Sequence, residues 1–253
     1  TNSGQAAAVN RGLKLFSGEY VTWMDSDDIY YPDAIQKKVE FLKRHKEFDF
    51  VLNYGEIVNE TDLNHQLGIL KRTKPIGKDE LFKDLLDESN VVFGPGTILV
   101  KTESLKKAIP DLDIYESREG QNWQLMLPLA YCCSVGYLDE VLFKYVVHTD
   151  SHSHTKRTLE QEYKRRDNFY KLQCETIDKI GTMQKNEKEY WKNYALTRSI
   201  LTKYRMAIYY HNFLESVKKQ SELKERGVKI LWKDGFLSHH FRIITRRIKE
   251  IVG

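Results

Sequence analysis

Three carboxylates, Asp25, Asp27 and Asp28, fall within four positions directly after Tyr20-Val21-Thr22-Trp23-Met24. Like charges this close repel unless a positive charge sits among them, and two such side chains can meet on one hard cation. Oxygen ligands select magnesium or manganese before zinc, so the chemistry on offer is neutralisation of a developing negative charge by a divalent ion. The five residues ahead of the acids are largely strand formers, which predicts a buried strand that surfaces at a sheet edge and presents its charges there. By itself Ser26-Asp27-Asp28 is also the composition of an ordinary acidic turn.

The neighbouring elements decide between these readings. Asn2 to Leu13 is an alanine-rich helix opening after Gly4 and closed near Gly18, and Pro32 pre-sets a further helix just beyond the acids. In this order Asn2, Gly4, Asn10, Gly12, Gly18, Glu19, Tyr20, Asp25, Asp27, Asp28 and Pro32 resemble the pattern of the inverting glycosyltransferases of family 2. Val9 departs from it, since many members carry Arg there. The resemblance implies an α/β fold of GT-A type, a Rossmann-like nucleotide-diphospho-sugar transferase sheet with a C-terminal helical appendage. It implies transfer of a sugar from a nucleotide-diphosphate donor to a hydroxyl of a saccharide or lipid-linked acceptor, with inversion. Asp25, Asp27, Asp28 and Asn10 would contact the donor diphosphate, and Asp25 and Asp27 would hold Mn or Mg. His148, just past the last predicted strand, would reach back to that metal. In the family a β-α-β unit with much of the nucleotide site precedes this point, and the sequence starts at Thr1 without it. The expectation is therefore a partial GT-A domain over 1–154 and a helical region over 155–253.

The acceptor side is where the chain leaves the family pattern. Family members usually carry Glu-Asp-Trp ahead of a helix, with the Asp taking the proton from the acceptor hydroxyl. Here Gln121-Asn122-Trp123 stands at those positions. An amide cannot take a proton at neutral pH, so Gln121 and Asn122 are expected to hold acceptor hydroxyls and Trp123 to offer a flat face to the sugar. The nearest carboxylate in the loop is Glu119, the candidate base; the alternative is that it pairs with Arg118 or faces water. Similar strings occur in a branch of family 2 serving bacterial surface polysaccharide synthesis.

Elsewhere the pattern predicts a helix of about fifteen residues after Pro32, with His45 at its end, and a strand over Phe48–Tyr54. A loop or hairpin follows over Asn59–Gly68, then a helix over Lys78–Glu88 and a Gly94-Pro95-Gly96 turn. Pro128 suggests a kink or early helix end, and Val141–Val147 reads as the last strand. His152 and His154 read as loop residues rather than zinc ligands. Past Thr155, aromatics such as Tyr163, Tyr190, Tyr204 and Tyr209 recur on long polar helices, the mark of a bundle core. His240–Val252 is basic and amphipathic, a docking helix or a peripheral contact with an anionic membrane.

Composition sets the outer limits. With 253 residues and a net charge of +4, the chain suits an anionic small-molecule substrate or an acidic lipid surface, and nothing in it calls for nucleic acid. Three cysteines, two adjacent at Cys132-Cys133, form no disulfide framework and point to a reducing, cytoplasmic setting, at the inner face of the plasma membrane if the last helix binds lipid. Two rival functions stay open at this stage. One is a haloacid-dehalogenase-type phosphatase, which also ends a strand in Asp-x-Asp; the other is a non-catalytic sugar-binding or scaffolding protein.

Overall fold

The computed structural model describes residues 3–72, 81–92, 94–120, 122–148 and 157–230. The chain forms two compact units, residues 1–156 with 172–188, and residues 157–171 with 189–253. The predicted helix over 240–252 lies outside the described residues.

The first unit is α/β. Helix α1 (Gln5–Leu13) buries Ala6, Asn10 and Leu13 along one side, a spacing of four and three that aligns them on a single face. Strands β1 (Tyr20–Val21) and β2 (Ile29–Tyr30) follow, then α2 (Ala34–Arg44), β3 (Phe50–Asn59) and β4 (Asp62–Leu70). Next come α3 (Leu81–Asp87), β5 (Ile98–Lys101), α4 (Thr102–Ala108), α5 (Asn122–Cys132) and β6 (Val135–Val147). The sheet order is β1-β5-β3-β6-β2, with β4 also on β3. β3 and β6 pair in parallel from Phe50↔Val135 to Asn59↔Val147, and every other pairing is antiparallel. Helix α2 covers the sheet by packing Leu42 with Val51 and Leu99.

Several elements differ from the sequence expectation. The strand ahead of the acids is an edge strand of two half-buried residues rather than a buried five. Just past its end the Thr22 hydroxyl takes the Ile98 carbonyl, donating to it at 2.6 Å and accepting from the Tyr30 hydroxyl at 2.7 Å. Since β1 and β2 are the two ends of the sheet order, that Thr22–Tyr30 contact shows the sheet curled until its edges approach. Helix α2 stops at Arg44, four residues short, where His45 leaves helical geometry. Asn59–Gly68 is a hairpin, β6 begins at Val135, and α5 runs through Pro128 to Cys132 instead of ending early.

Around Phe143, fully buried on β6, three glycines make room for one ring. A Cβ on Gly55, Gly94 or Gly96 would lie 2.0, 2.8 and 2.8 Å from its carbons, so none of these positions accepts a side chain without displacing the ring. The carbonyl of Gly96 is held from the other side by Lys38, whose Nζ donates to it at 2.7 Å and lies 4.6 Å from the Tyr30 ring centroid. Lys38 shares the buried stripe of α2 with Ala34 and Leu42.

In the second unit, α6 (Leu159–Lys179, through Lys171), α7 (Lys185–Tyr209, from Glu189) and α8 (Phe213–Glu225) carry the structure. Of the aromatics expected as core, Tyr204 is buried with Ile200, Ile208 and Leu223, whereas Tyr190 and Tyr209 are exposed. Aliphatic residues interleaved with the tyrosines make that core, because a side chain ending in a hydroxyl is buried at a cost unless the hydroxyl is paired.

Burial pushes the Lys38 ammonium down from its usual 10.5 to about 7. Between those values the unfolded chain binds a proton that the folded chain does not, so stability rises with pH across the window, and below about 7 the full cost of burying the charge is present. Urea unfolding at intervals from neutral pH to about pH 10 should show this rise, on the order of a few kcal/mol. Lys38→Met should flatten it relative to wild type.

Candidate functional site

β1 is antiparallel to β5, β5 to β3, and β3 is parallel to β6, so β1, β3 and β6 all run the same way. Their carboxyl ends therefore lie along one edge of the sheet, where open α/β sheets place ligands. The acidic segment follows β1, Glu60 follows β3 and His148 follows β6. The seven residues Thr22–Asp28 cross the sheet from one end of its order to the other, tied to β5 through Thr22 and to β6 through Asp28.

Asp28 is buried, and its Oδ1 accepts the Val146 N–H at 3.1 Å. Its own N–H donates to the Asp25 carbonyl at 3.2 Å, closing the turn that carries Ser26 and Asp27. Burial pushes the Asp28 carboxyl up to about 6; the Val146 N–H opposes this, Asp25 and Asp27 add to it, and His148 opposes it. Asp27 is exposed and sits with its Oδ2 3.4 Å from His148 Nε2. On the far side of the ring, Nδ1 lies 2.6 Å from Glu60 Oε2, and that hydrogen bond, ahead of the nearby carboxylate charges, raises the imidazole pKa.

The predicted partnership of Asp27 and His148 is thus a contact in the fold, across 121 positions of sequence. The full predicted metal set of Asp25, Asp27 and His148 does not converge. Among the described residues no three His, Cys, Asp or Glu side chains form a ready cation site. Carboxylates this close repel, and the group that faces Asp27 here is the His148 imidazole rather than a second carboxylate. The residues present nevertheless fit a divalent ion in part. Asp28 Oδ2 and His148 Nε2 are both buried without a hydrogen-bond partner among the described residues, and oxygen with imidazole suits Mn as well as Mg with substrate oxygens.

Asn10, expected among the donor contacts, is buried and spent on the protein itself. Its Nδ2 donates to the Ile114 carbonyl at 3.0 Å and its Oδ1 accepts the Ile114 N–H at 2.8 Å, fastening α1 to the start of the acceptor loop. The second Nδ2 hydrogen faces Glu116 Oε1 at 3.4 Å, so both donors of the buried amide are directed at the protein rather than at a diphosphate.

On the acceptor side, Glu119, Asn122 and Trp123 line one cleft of ≈ 380 Å³ with Gly120 and Glu88. The Trp123 indole donates to the Leu85 carbonyl at 3.2 Å, so α3 sets the angle of the ring. Gln124, buried one position further, donates to the Tyr115 and Gly120 carbonyls at 3.2 and 2.7 Å and folds the loop onto the start of α5. Gln121 lies outside the described residues. Sequence reasoning missed Glu60, Glu88 and Gln124. Only Gln124 left a signal, as a polar residue on the otherwise apolar face of α5.

Asp28→Ala leaves the Val146 N–H buried and unpaired, which should cost about 1–3 kcal/mol in urea unfolding and speed exchange of that amide. Asp28→Asn keeps an acceptor and should cost clearly less.

Residues 1–108 match the family described as Glycosyl transferase family 2. An uncharacterized glycosyltransferase of Rickettsia typhi is 27% identical over 164 residues, 64% of this chain and 50% of that protein. One from Haemophilus influenzae is 27% identical over 186 residues, covering 70% and 56% of the two chains. The chain spans about half the length of the relatives it matches. Among solved structures, S. aureus TarS 1-349 in complex with UDP-GlcNAc superposes with a TM-score of 0.51 at 14% identity, covering 88% of this chain and 71% of that one. That likeness concerns the fold, and the fold is GT-A with a C-terminal helical region. Residues 1–108, the part of the chain that carries the acidic segment, β3 and β5, are thus similar to glycosyl transferase family 2.

Proposed function

We propose that this protein transfers a sugar from a nucleotide-diphosphate donor to an acceptor hydroxyl, with inversion, in the synthesis of a cell-surface polysaccharide or glycan. The observation that carries this reading is the meeting of Asp27 and His148 at the carboxyl ends of β1 and β6, beside a buried Asp28 that locks their loop. The fold is shared with a protein crystallised with UDP-GlcNAc, which supports a nucleotide sugar as donor. The GT-A fold and the family match speak against the phosphatase alternative.

Breaking the donor's glycosidic bond gathers negative charge on the departing diphosphate. A Mn or Mg ion held by Asp27 and His148 would neutralise that charge as a Lewis acid. With few protein ligands converging, the ion would share its shell with substrate oxygens, as Mg commonly does. Asp28 works as a positioning group, because its buried carboxyl faces Val146 rather than open space. In the acceptor cleft Asn122 and Gln121 would hold hydroxyls and Trp123 would stack on the sugar face. Glu119 would take the acceptor's proton as the new bond forms, and Glu88, in the same cleft, is the second carboxylate able to do so. Among the described residues no helix is long and apolar enough to cross a membrane. A lipid-linked acceptor at the inner face of the plasma membrane, approached through 240–252, belongs to this proposal.

Asp27→Ala should lower divalent-dependent transfer by at least about a hundredfold while leaving the unfolding midpoint in place, since the side chain is exposed. Full transfer by wild type in excess chelator would overturn the metal role. Sugar hydrolysis or transfer absent under every donor tested, with donor still bound, would favour the non-catalytic reading.

For the base, Glu119→Gln should lower kcat by about a hundredfold or more with donor affinity unchanged. Should only Glu88→Gln do this, the proton goes to Glu88.

A further inference from the structure

The turn after β3 presents a carboxylate to the site. Because β3 and β6 pair in parallel with Asn59 opposite Val147, the next residue of each, Glu60 and His148, emerge side by side. The Glu60 N–H donates to the Val147 carbonyl at 3.2 Å, which extends the pairing by one residue. The turn itself is shaped by other groups: Asn59 Oδ1 accepts from the Thr61 N–H at 3.0 Å and from its hydroxyl at 2.9 Å. The Glu60 side chain meets the imidazole, with Oε2 2.6 Å from Nδ1. Across the ring, Nε2 faces Asp27 Oδ2 at 3.4 Å and is buried with no hydrogen-bond partner among the described residues.

We propose that Glu60 is a positioning residue that holds His148 as its Nδ1–H tautomer and turns the Nε2 lone pair toward Asp27. An ionised carboxylate only accepts, and of the two that flank the ring Glu60 is in hydrogen-bond contact at 2.6 Å while Asp27 stands off at 3.4 Å, so the single proton of a neutral imidazole goes to Nδ1 and Nε2 is left as acceptor or ligand. Free neutral histidine favours the opposite tautomer, so the pairing inverts a preference rather than confirming one. A carboxylate behind a ligating histidine also fixes the ring plane and raises its basicity, and losing such a partner typically costs about 10- to 100-fold in metal affinity. Glu60 acts through His148 without touching substrate. Its value for catalysis rests on the proposed role of Asp27 and His148 at the donor diphosphate, whereas its effect on the ring does not.

The test uses the ¹⁵N-labelled 253-residue chain, with spectra followed upward in pH until the His148 ring shifts stop changing, so that the neutral imidazole is the species read. Long-range ¹H–¹⁵N spectra should show His148 protonated at Nδ1 in wild type and shifted toward Nε2–H in Glu60→Ala. Glu60→Gln, whose amide oxygen can accept the same bond, should keep the wild-type tautomer. Unfolding midpoints should be alike for all three, because Asn59 and Thr61 hold the turn. Titrated with Mn²⁺ alone, Glu60→Ala should bind about 10- to 100-fold more weakly than wild type. An Nε2–H tautomer in wild type, or one unchanged in Glu60→Ala, overturns the positioning role whatever Mn²⁺ does. Wild type that binds no Mn²⁺ but shows the tautomer switch supports Glu60 and instead removes the cation reading of the site.

Discussion

A buried carboxylate on a strand N–H is the constraint on which this site depends. The acidic segment has to cross a whole sheet in seven residues, and it is caught at its far end by Asp28 accepting from Val146. Burying that carboxylate is costly, and its raised pKa measures the cost. What the cost secures is position. With Asp28 anchored one residue away, Asp27 cannot drift into solvent with its loop and is delivered to His148. The near end is caught by Thr22, whose hydroxyl joins β5 to β2 and so closes the curl of the sheet on which the crossing relies.

The packing beneath the crossing is unusually intolerant. One phenylalanine fills the space left by three glycines from two segments, Gly55 on β3 and Gly94 and Gly96 ahead of β5. A core of this kind transmits displacement, since close-packed side chains have no slack to absorb it. Lys38 secures the same turn from α2 by a buried hydrogen bond to Gly96, and its Nζ lies over the ring of Tyr30, the residue that reaches Thr22. Helix, turn and acidic loop are in this way one connected set, so a change in α2, remote in sequence from the acids, is felt at them.

The acceptor loop is built by the opposite means, through amides rather than close packing. Asn10 clamps the backbone at Ile114, Gln124 clamps it at Tyr115 and Gly120, and Trp123 is tied to α3. Each clamp pairs a buried side-chain amide or indole with backbone groups that a loop otherwise leaves unsatisfied. The carboxylates of the cleft, Glu119 and Glu88, are carried on the frame that these bonds build.

Much of this was readable in the residues. The acidic triplet between a strand former run and a Pro-started helix and the ordered glycines around it pointed to the family resemblance and the fold class, and with the Gln-Asn-Trp segment to the side chains worth watching. The local order of elements followed as well, because helix and strand periods are properties of short stretches. What the sequence could not determine was anything set by pairing between distant stretches. That β3 and β6 are parallel and in a register bringing Glu60 beside His148 depends on the whole sheet, and nothing near Glu60 in the chain announces it. The same holds for Asn10, which reads as a motif residue yet is used up on Ile114, 104 positions away. It holds for Lys38, a lysine on a helix rich in charged residues, buried only because α2 lies against Gly96 and Tyr30. A side chain's chemistry is written in its type, but whether it faces a substrate, a backbone or water is decided by which surface the folded chain presses against it.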